Sequence, residues 1–531
     1  MNKDLLKNTI LFGLITLSVY GQSSKKPNII IIMADDMGWS DIGCYGGEIP
    51  TPNIDKLAKK GVRFKQFYNT GRCCPTRASL LTGLYPHKAG VGHMAEDPEK
   101  PDQTHWETPG YQGFLNRNSV TIAEVLKTNG YNTYMAGKWH VGMNEKEKWP
   151  LQRGFDRFYG ILAGATSYFK PQGGRGLWLD NKKLDTPNNS NFYTTDAFTD
   201  YGIKFLKEQK NKNPFFLYLA YNAPHWPLHA KKEAIAKFQE TYKNGWDKIR
   251  KQRLEKQINL GLIDKNWNIS ERDNRVRIWE KLSKIEQDSV AYRMAVYAAQ
   301  VHIMDYNVGK LLNYLEKSKT LENTLIFFLS DNGACAENYH ELGSNDFKRI
   351  NDPDFSGAVS YGIGWANTSN TPFFEYKVKP YEGGIATPMI VHFPKNTKNQ
   401  GKFTNEVGHL IDLMPTIVEV TGASYPSKFH NGNEIYPMAG KSLLNVITKN
   451  SKLNRQYLFW EHQDFCAVRK GDFKVVKKIS ESQWQLFDLK NDRTERYNIA
   501  LKHPKLVKEL NEKWNEWAIE NFVLPKKPNK E

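Results

Sequence analysis

One stretch of the chain combines residue types that are suited to covalent chemistry. Cys73, Pro75 and Arg77 follow one another at intervals of two residues. A proline favours the first turn of a helix, so we expect Cys73 at or just before a helix N-terminus, where free backbone N–H groups attract anions. Arg77, one turn later, is placed to reach back towards the same point. Taken alone, the pattern also fits a reactive thiol, half of a disulfide, or two small buried side chains at Cys73 and Cys74.

Oxygen-bearing side chains follow two predicted strands. The apolar run 29–33 leads to Asp35 and Asp36, and a second buried run leads to Asp331 and Asn332. In open α/β sheets, ligands bind beyond the carboxyl ends of the strands. A donor set of hard oxygens without sulfur or imidazole suits Ca²⁺ or Mg²⁺ rather than Zn²⁺. The sequence therefore predicts a site for a hard divalent cation.

Basic side chains follow two more predicted strands. Lys138 and His140 come after a strand at 131–135, and being two residues apart in an extended segment they point the same way. A surface charge and an ordinary polar histidine are the alternatives. His225 follows a strand at 214–220. All three side chains lie where a parallel sheet places its ligands.

Taken in order, these segments resemble the type I sulfatases of the alkaline-phosphatase-like superfamily, and most of all the bacterial arylsulfatase-type enzymes. The resemblance runs from about Lys26 to the C-terminal helix. In that family the cysteine of the Cys-x-Pro-x-Arg signature is oxidised to formylglycine by a formylglycine-generating enzyme. The hydrate of this aldehyde is the nucleophile, so the resemblance implies a sulfatase modified at Cys73.

The resemblance also implies a role for each matched residue. It makes Ca²⁺ the usual ion, with Mg²⁺ less favoured, and gives as ligands Asp35, Asp36, Asp331, Asn332 and the converted Cys73. Arg77 and Lys138 would hold the hydrated aldehyde, and His140 would help it to expel sulfate. His225 would protonate the leaving oxygen. No organic cofactor is implied.

A sulfate-binding lysine is implied five residues before a Glu-Gly-Gly sequence. Lys377 has that spacing from Glu382, and Lys379 is its rival. Many relatives carry an arginine where this chain has Ala386, which bears on the subgroup rather than on the chemistry. Trp226 and His229 lie outside this machinery. Such loop residues usually pack, although both could contact a sugar.

Length and periodicity predict two structural units. A chain of 531 residues is longer than the size at which a single hydrophobic core stops growing and chains divide into domains. Alternating helices and strands favour an α/β fold, and the resemblance implies a large mixed, mostly parallel sheet sandwiched by helices over 22–450. Short strands from Tyr457 predict a smaller C-terminal α+β subdomain with an antiparallel sheet over 451–531. We interpret 231–292 as a helical excursion, 388–393 as the last core strand and 340–370 as an irregular loop.

The chain opens with features of an export signal. Lys3 and Lys7 precede an apolar run from Thr9 to Val19, and small residues follow it. This run is too short to span a bilayer, so we interpret 1–21 as a signal peptide and expect a secreted or periplasmic protein without a membrane anchor. Five cysteines form no dense disulfide framework, and an odd count leaves at least one unpaired.

Charge and composition bear on the partner. The net charge of +17 favours polyanions, and no nucleic-acid-binding motif is present. For an exported protein, an acidic polysaccharide is the more natural partner. The hypothesis is therefore a sulfatase acting on a sulfated carbohydrate such as ulvan, carrageenan or a host glycan. We expect loops at 87–107, 168–180 and 340–370 to shape its pocket.

Two other functions compete with this hypothesis. One is a phosphonate or phosphodiester hydrolase with the same signature, and the other is a secreted polysaccharide-binding protein without catalysis. The complete set of ionisable residues favours an enzyme over a binding protein.

Overall fold

A mixed sheet of ten strands forms the centre of the protein. The computed structural model describes residues 26–97, 107–337, 347–355, 357–394 and 396–526. The predicted signal peptide at 1–21 lies outside them. The strands are, in chain order, β1 (Asn28–Ala34), β2 (Val62–Tyr68), β3 (Asn132–Lys138), β4 (Arg157–Ile161), β5 (Trp178–Leu179), β6 (Lys182–Lys183), β7 (Phe215–Ala220), β8 (Thr324–Ser330), β9 (Met389–His392), β10 (Phe403–His409), β11 (Lys428–Phe429), β12 (Asn433–Glu434), β13 (Tyr457–His462), β14 (Phe465–Lys470), β15 (Phe473–Lys478) and β16 (Gln485–Asp488).

The order of strands in the main sheet is β10-β2-β9-β8-β1-β7-β3-β4-β5-β6. β1 pairs in parallel with β7 and β8, and β3 pairs in parallel with β7 and β4. β9 lies antiparallel between β2 and β8. The carboxyl ends of β8, β1, β7 and β3 therefore meet along one edge of the sheet, as predicted for the site residues.

Helices cover both faces of this sheet. They are α1 (Pro52–Lys60), α2 (Cys73–Thr82), α3 (Ile122–Thr128), α4 (Thr194–Lys207), α5 (Lys232–Ile235), α6 (Trp246–Asn259), α7 (Lys284–Lys317), α8 (Gly362–Ser369), α9 (Glu382–Ile385), α10 (Leu413–Thr421), α11 (Leu444–Lys449) and α12 (Pro504–Glu520). Alternate residues of β1 enter different cores: Ile30 and Ile32 face α1, α4 and α7, whereas Ile29 and Ile31 face α2, α3 and α10. Side chains on both faces of a buried strand are apolar, which explains the unbroken isoleucine run.

A second sheet of four antiparallel strands, β13 to β16, carries α12 on one face. Buried ion pairs join this sheet to α9. Lys474 Nζ lies 2.8 Å from Glu382 Oε1 and 2.7 Å from Glu495 Oε1, and Arg493 Nε lies 2.7 Å from Glu382 Oε2. The expected α/β fold with a smaller C-terminal antiparallel sheet is thus confirmed.

Three local predictions were wrong. The segment 388–393 is not the last strand of the main sheet, because β10 follows it and pairs in parallel with β2. β10 lies at the edge of the sheet and contains several polar residues, so its sequence lacks the apolar run by which the buried strands were recognised. The stretch 340–370 is not irregular throughout, because 362–369 form α8. All eight residues of α8 are buried, so it lacks the polar face by which a helix is recognised.

The segment 231–292 is helical only in part, so the interpretation of the whole segment as a helical excursion was wrong. Its α-helices are α5, α6 and the first part of α7, two short 3₁₀ helices lie at Thr241–Asn244 and Trp279–Lys281, and the rest of 260–283 forms turns and irregular backbone. Gly245, with φ +82°, precedes α6 and lies against Trp279, where a Cβ would be 2.4 Å from the indole ring. A larger residue therefore could not replace Gly245 without a shift of Trp279.

All five cysteines are buried free thiols. Within the described part of the chain, every helix is too short or too polar to span a bilayer.

Candidate active site

Cys73 is the first residue of α2, as the Cys-x-Pro-x-Arg pattern predicts. Arg72 before it is extended, with φ −149° and ψ 148°, and the whole of α2 is buried. Cys73 borders a cavity of about 550 Å³ at the carboxyl edge of the main sheet. The N-terminal turn of α2 therefore presents its first side chain to this cavity.

The four predicted metal ligands lie together at the ends of β1 and β8. These strands are parallel neighbours, with Ala34 in register with Ser330. The backbone N–H of Asp36 donates to Asp331 Oδ1 at 3.1 Å, and Asn332 Nδ2 donates to Asp36 Oδ1 at 2.7 Å. Asp35, Asp36, Asp331 and Asn332 are at most 1% exposed. Burial and the charge of Asp331 raise the pKa of Asp35 well above its usual value.

Three buried cations surround these carboxylates. Lys138 Nζ lies 2.6 Å from Asp35 Oδ2, and Arg77 Nη2 lies 3.1 Å from Asp331 Oδ2. Lys377 Nζ contacts both oxygens of Asp36, at 2.8 and 2.9 Å. Buried charges must be stabilised by other charged groups, because no water solvates them. A dense cluster of buried carboxylates and cations is therefore typical of a site that binds ions.

His140 is next to Cys73 because the chain turns sharply after β3. Its φ of +57° is left-handed, so the extended backbone that we predicted through this residue was wrong, yet the side chain still reaches the thiol. A Cβ on Gly164 would lie 2.5 Å from the His140 ring, so only glycine allows the ring to sit there. Burial lowers the pKa of His140, which favours the neutral ring.

The environment of Cys73 favours a thiolate. A hydrogen bond from Cys74 and the nearby charge of Lys138 lower the pKa of the Cys73 thiol well below its usual value, against the opposing effect of burial. Cys74 is the reverse case, since burial raises its pKa. The two adjacent cysteines therefore differ strongly, and only Cys73 borders the cavity.

His225 lies beyond β7 and points towards the carboxylates. Its Nε2 is 3.4 Å from Asp36 Oδ2, and Nδ1 is 2.7 Å from the carbonyl oxygen of Trp226. A carbonyl only accepts, so Nδ1 carries the proton in the neutral ring and Nε2 faces the site with a lone pair. Burial lowers the pKa of His225 to about 4.

The geometry separates Lys377 from its rival. Lys377 and Val378 border the cavity, whereas Lys379 turns away and places its Nζ 3.5 Å from the centre of the Phe465 ring. The spacing from Glu382 therefore identified the lysine that reaches the site.

Of the two predicted sugar contacts, the structure brings only Trp226 to the cavity. His229 is fully buried and packs against Tyr168 and Phe169, with ring centres 6.2 and 5.4 Å away. The expectation that His229 contacts a sugar was wrong, because the Phe169 loop covers it. The three loops expected to shape the pocket contribute Met94 to Asp97, Arg175, and Gly357 with Ala358.

Sequence reasoning missed Glu337, which organises the mouth of the cavity. Its Oε1 lies 2.6 Å from Arg72 Nη1 and 3.6 Å from Lys377 Nζ, and its Oε2 accepts from Trp226 Nε1 at 2.6 Å. The cations Lys377 and Arg72 hold its pKa well below the usual range despite burial. Gln463, in the turn between β13 and β14, was also missed and brings the C-terminal sheet to the cavity.

Comparison with known proteins places the chain in a family. A family model described as Sulfatase matches residues 27–423, which is most of the chain. The chain belongs to the sulfatase family. A second model, described as N-sulphoglucosamine sulphohydrolase, C-terminal, matches residues 372–520 and so includes the four-stranded sheet.

This sulfatase is similar to other sulfatases over nearly their whole length. It is 34% identical over 527 residues to an uncharacterised sulfatase of Schizosaccharomyces pombe, which covers 94% of this chain and 95% of that protein. It is 33% identical over 481 residues to an arylsulfatase of Klebsiella aerogenes, covering 86% and 100% of the two chains. The crystal structure of Ps i-CgsB in complex with k-i-k-neocarrahexaose has a TM-score of 0.67 and 27% identity over 94% of each chain.

These similarities settle the class of reaction. The protein is a sulfuric ester hydrolase, as the order of its motifs predicts.

Proposed function

We propose that this sulfatase removes sulfate from a sulfated carbohydrate, and that it does so with Cys73 oxidised to formylglycine. The observation that carries the proposal is the placement of Cys73. It stands at the N-terminus of α2, opens onto a cavity of about 550 Å³, and lies beside both Lys138 and His140. A helix N-terminus and a buried lysine together stabilise negative charge at that point.

Formylglycine would supply a hydrated aldehyde, one hydroxyl of which attacks the sulfur of the ester. Cys73 Sγ stands where the oxygen atoms of that group would be. Arg77, Lys138 and His140 lie around this position. Arg77 is fixed by Nη1 donating to the Lys138 carbonyl oxygen at 2.9 Å and by its ion pair with Asp331, so its guanidinium is held in one orientation beside the carboxylates. His140, neutral because of its burial, can take a proton from the hydroxyl groups.

The residues present fit a hard divalent cation. Asp35 Oδ1 and Asn332 Oδ1 are buried and have no hydrogen-bond partner, so two oxygens of the predicted ligand set remain available. Such atoms are costly to bury without a partner, and an ion that takes only oxygen ligands would satisfy them. Asp35, Asp36, Asp331 and Asn332 would hold Ca²⁺, with Mg²⁺ as the alternative. The ion would neutralise charge on the sulfate oxygens.

Lys377 and His225 lie on the side of the site that faces the cavity, where the leaving alcohol would depart. Lys377 keeps its charge because Asp36 and Glu337 raise its pKa well above the usual value, against the effect of burial. It would bind a sulfate oxygen. His225 would protonate the leaving oxygen through Nε2. Because Nδ1 already carries a proton, this role requires the imidazolium form, which the arriving anion and Asp36 both favour.

The mouth of the cavity suits a sugar. The Trp226 indole is half-buried, its Nε1 is held by Glu337, and the Arg175 guanidinium lies 5.8 Å from its ring centre. A fixed aromatic face next to a cation is suited to a sugar ring that bears sulfate groups. The solved relative Ps i-CgsB was crystallised with k-i-k-neocarrahexaose, which supports the same class of substrate here.

We also propose that the protein is exported. The basic, apolar and small-residue pattern of residues 1–21 supports removal of a signal peptide and function in the periplasm or outside the cell. N-terminal sequencing of the protein recovered from the periplasm and medium tests this, and an intact N-terminus on cytoplasmic protein contradicts it.

Sulfate release tests the proposed substrate. The protein is co-produced with a formylglycine-generating enzyme and incubated with saccharides from carrageenan, ulvan and chondroitin sulfate, and with nitrophenyl sulfate. We expect release from one carbohydrate with a kcat/KM above that for nitrophenyl sulfate. Turnover of nitrophenyl sulfate without release from any carbohydrate would contradict the carbohydrate assignment.

A further inference from the structure

A second cavity lies beside the active-site cavity and shares its walls. It has a volume of about 800 Å³. Phe169 and Ala230 border it, whereas Ala165 and Trp226 border the active-site cavity. The segments 165–169 and 226–230 therefore each run from one cavity to the other, and we call each such segment a wall. At 3.8 Å between successive Cα atoms, the two cavities are at most about 15 Å apart along each wall.

A third wall has the same arrangement. Pro353 borders the second cavity and Gly357 borders the active-site cavity. Because residues of the same segments border both, the two cavities are neighbours. We call the second cavity the distal groove.

The lining of the distal groove has the chemistry of a site for an anionic sugar chain. Phe169 and Phe192 are half-buried and pack on the core, so part of each ring remains available for stacking. Three asparagines and a serine at 188–191 provide hydrogen-bond donors and acceptors. A turn closed by Phe192 N donating to Asn189 O at 2.9 Å fixes this segment.

Charged side chains line the groove, and most of them are lysines. Lys170, Lys231 and Lys232 line it with a single acid, Glu233. Lys170 pairs with Asp354 at 2.6 Å and Lys231 with Asp196 at 2.5 Å. Lys232 is exposed and forms no ion pair with any described residue, which leaves its charge available to a sulfate group.

We propose that the distal groove binds the sugar units of the substrate that lie beyond the unit whose sulfate is cleaved. The enzyme therefore acts on sulfated oligosaccharides or polysaccharides in preference to monosaccharides. This inference rests on the proposed carbohydrate substrate and extends it from a single sugar to a chain. Aromatic faces, amides and an available ammonium group together match the apolar faces, hydroxyls and sulfates of such a chain.

The length dependence of catalysis tests the proposal. Sulfated disaccharides and hexasaccharides from carrageenan, ulvan and chondroitin sulfate are compared with nitrophenyl sulfate. We expect kcat/KM to be at least about tenfold higher for the hexasaccharide of the carbohydrate that is hydrolysed than for its disaccharide. In Phe192→Ala and in Lys232→Gln, the ratio of the hexasaccharide kcat/KM to that for nitrophenyl sulfate falls about tenfold, the loss expected for one stacking or charge contact.

Lys449→Gln is the matched control, because Lys449 is also exposed and borders neither cavity. Its ratio should equal that of the unmodified enzyme. Equal kcat/KM for the two saccharide lengths, or a hexasaccharide ratio in Lys232→Gln equal to that of the control, would overturn the distal groove while leaving the carbohydrate assignment intact. Absence of release from every carbohydrate, with nitrophenyl sulfate still hydrolysed, would overturn both.

Discussion

Lys377 and Lys379 offer a matched pair of substitutions that tests the site by its geometry. Both are lysines in one loop, two residues apart. Lys377 Nζ contacts both oxygens of Asp36, whereas Lys379 Nζ lies over the Phe465 ring. The perturbation is Lys377→Met compared with Lys379→Met, which remove the same charge and keep the side-chain length.

The structure indicates very different magnitudes for the two changes. Loss of a single group that stabilises charge in the transition state costs about 10²–10³ in kcat, or about 3–4 kcal/mol, and Lys377→Met should reach this range. It also removes both ion-pair contacts of Asp36 with Lys377, and the basic side chain that then remains near this carboxylate in the described part of the chain is His225, at 3.4 Å. Breaking a buried ion pair by removing one member destabilises the fold by about 3–5 kcal/mol. Lys379→Met removes a cation–π contact worth about 0.5–1 kcal/mol.

The assay is kcat and KM on nitrophenyl sulfate and on the hydrolysed carbohydrate, with Tm measured in parallel for each variant. We expect Lys379→Met to retain kcat within about twofold, because its charge lies outside the cavity. Lys377→Arg distinguishes the loss of charge from the loss of side-chain shape. Because it keeps the positive charge, it should recover part of the activity that Lys377→Met loses. Comparable losses in the two methionine variants, or a larger loss in Lys379→Met, would refute the assignment of Lys377 to the sulfate.

Three further predictions follow from the site and from the interface between the sheets. His225→Gln should slow release from a sugar sulfate by about 10²–10³ but from nitrophenyl sulfate by less than about tenfold, because a poor leaving group depends more on the proton. Equal losses would contradict the general-acid role. Treatment with EDTA should abolish turnover and lower Tm, and Ca²⁺ should restore both better than Mg²⁺. Full activity in protein that is free of metal by elemental analysis would contradict the cation site. Burial raises the pKa of Glu495 from 4.5 to about 7, so the native state keeps a proton that the unfolded chain releases, and stability falls as pH rises through this window. In Glu495→Gln the Tm should fall less between pH 5 and 8, and parallel curves for the two proteins would contradict this.

The site residues were predictable because each lies next to a local signal. Asp35, Asp331 and His225 follow apolar strands buried on both faces, and a parallel sheet gathers the ends of such strands at one edge. Cys73 precedes a proline that marks the start of a helix. The chemistry of these positions can therefore be inferred before any tertiary contact is known.

Other residues carry no such signal. Glu337 is defined by contacts with Arg72 and Trp226, which are far from it in the chain, and Gln463 reaches the cavity only because the C-terminal sheet docks beside it. α8 is buried on all sides, so its sequence has no helical periodicity of polarity. These features depend on tertiary packing, which overrides local pattern.

Conversion of Cys73 and its consequence for turnover test the central claim most directly. The enzyme is produced with and without a formylglycine-generating enzyme, the peptide that holds position 73 is analysed by mass spectrometry, and sulfate release is measured on the same samples. We expect turnover to rise in proportion to the fraction of aldehyde at position 73, to be lost in Cys73→Ala and to persist in Cys74→Ala, whose thiol does not border the cavity. Full turnover in Cys73→Ala, or fully converted protein that releases sulfate from no ester, would contradict the account.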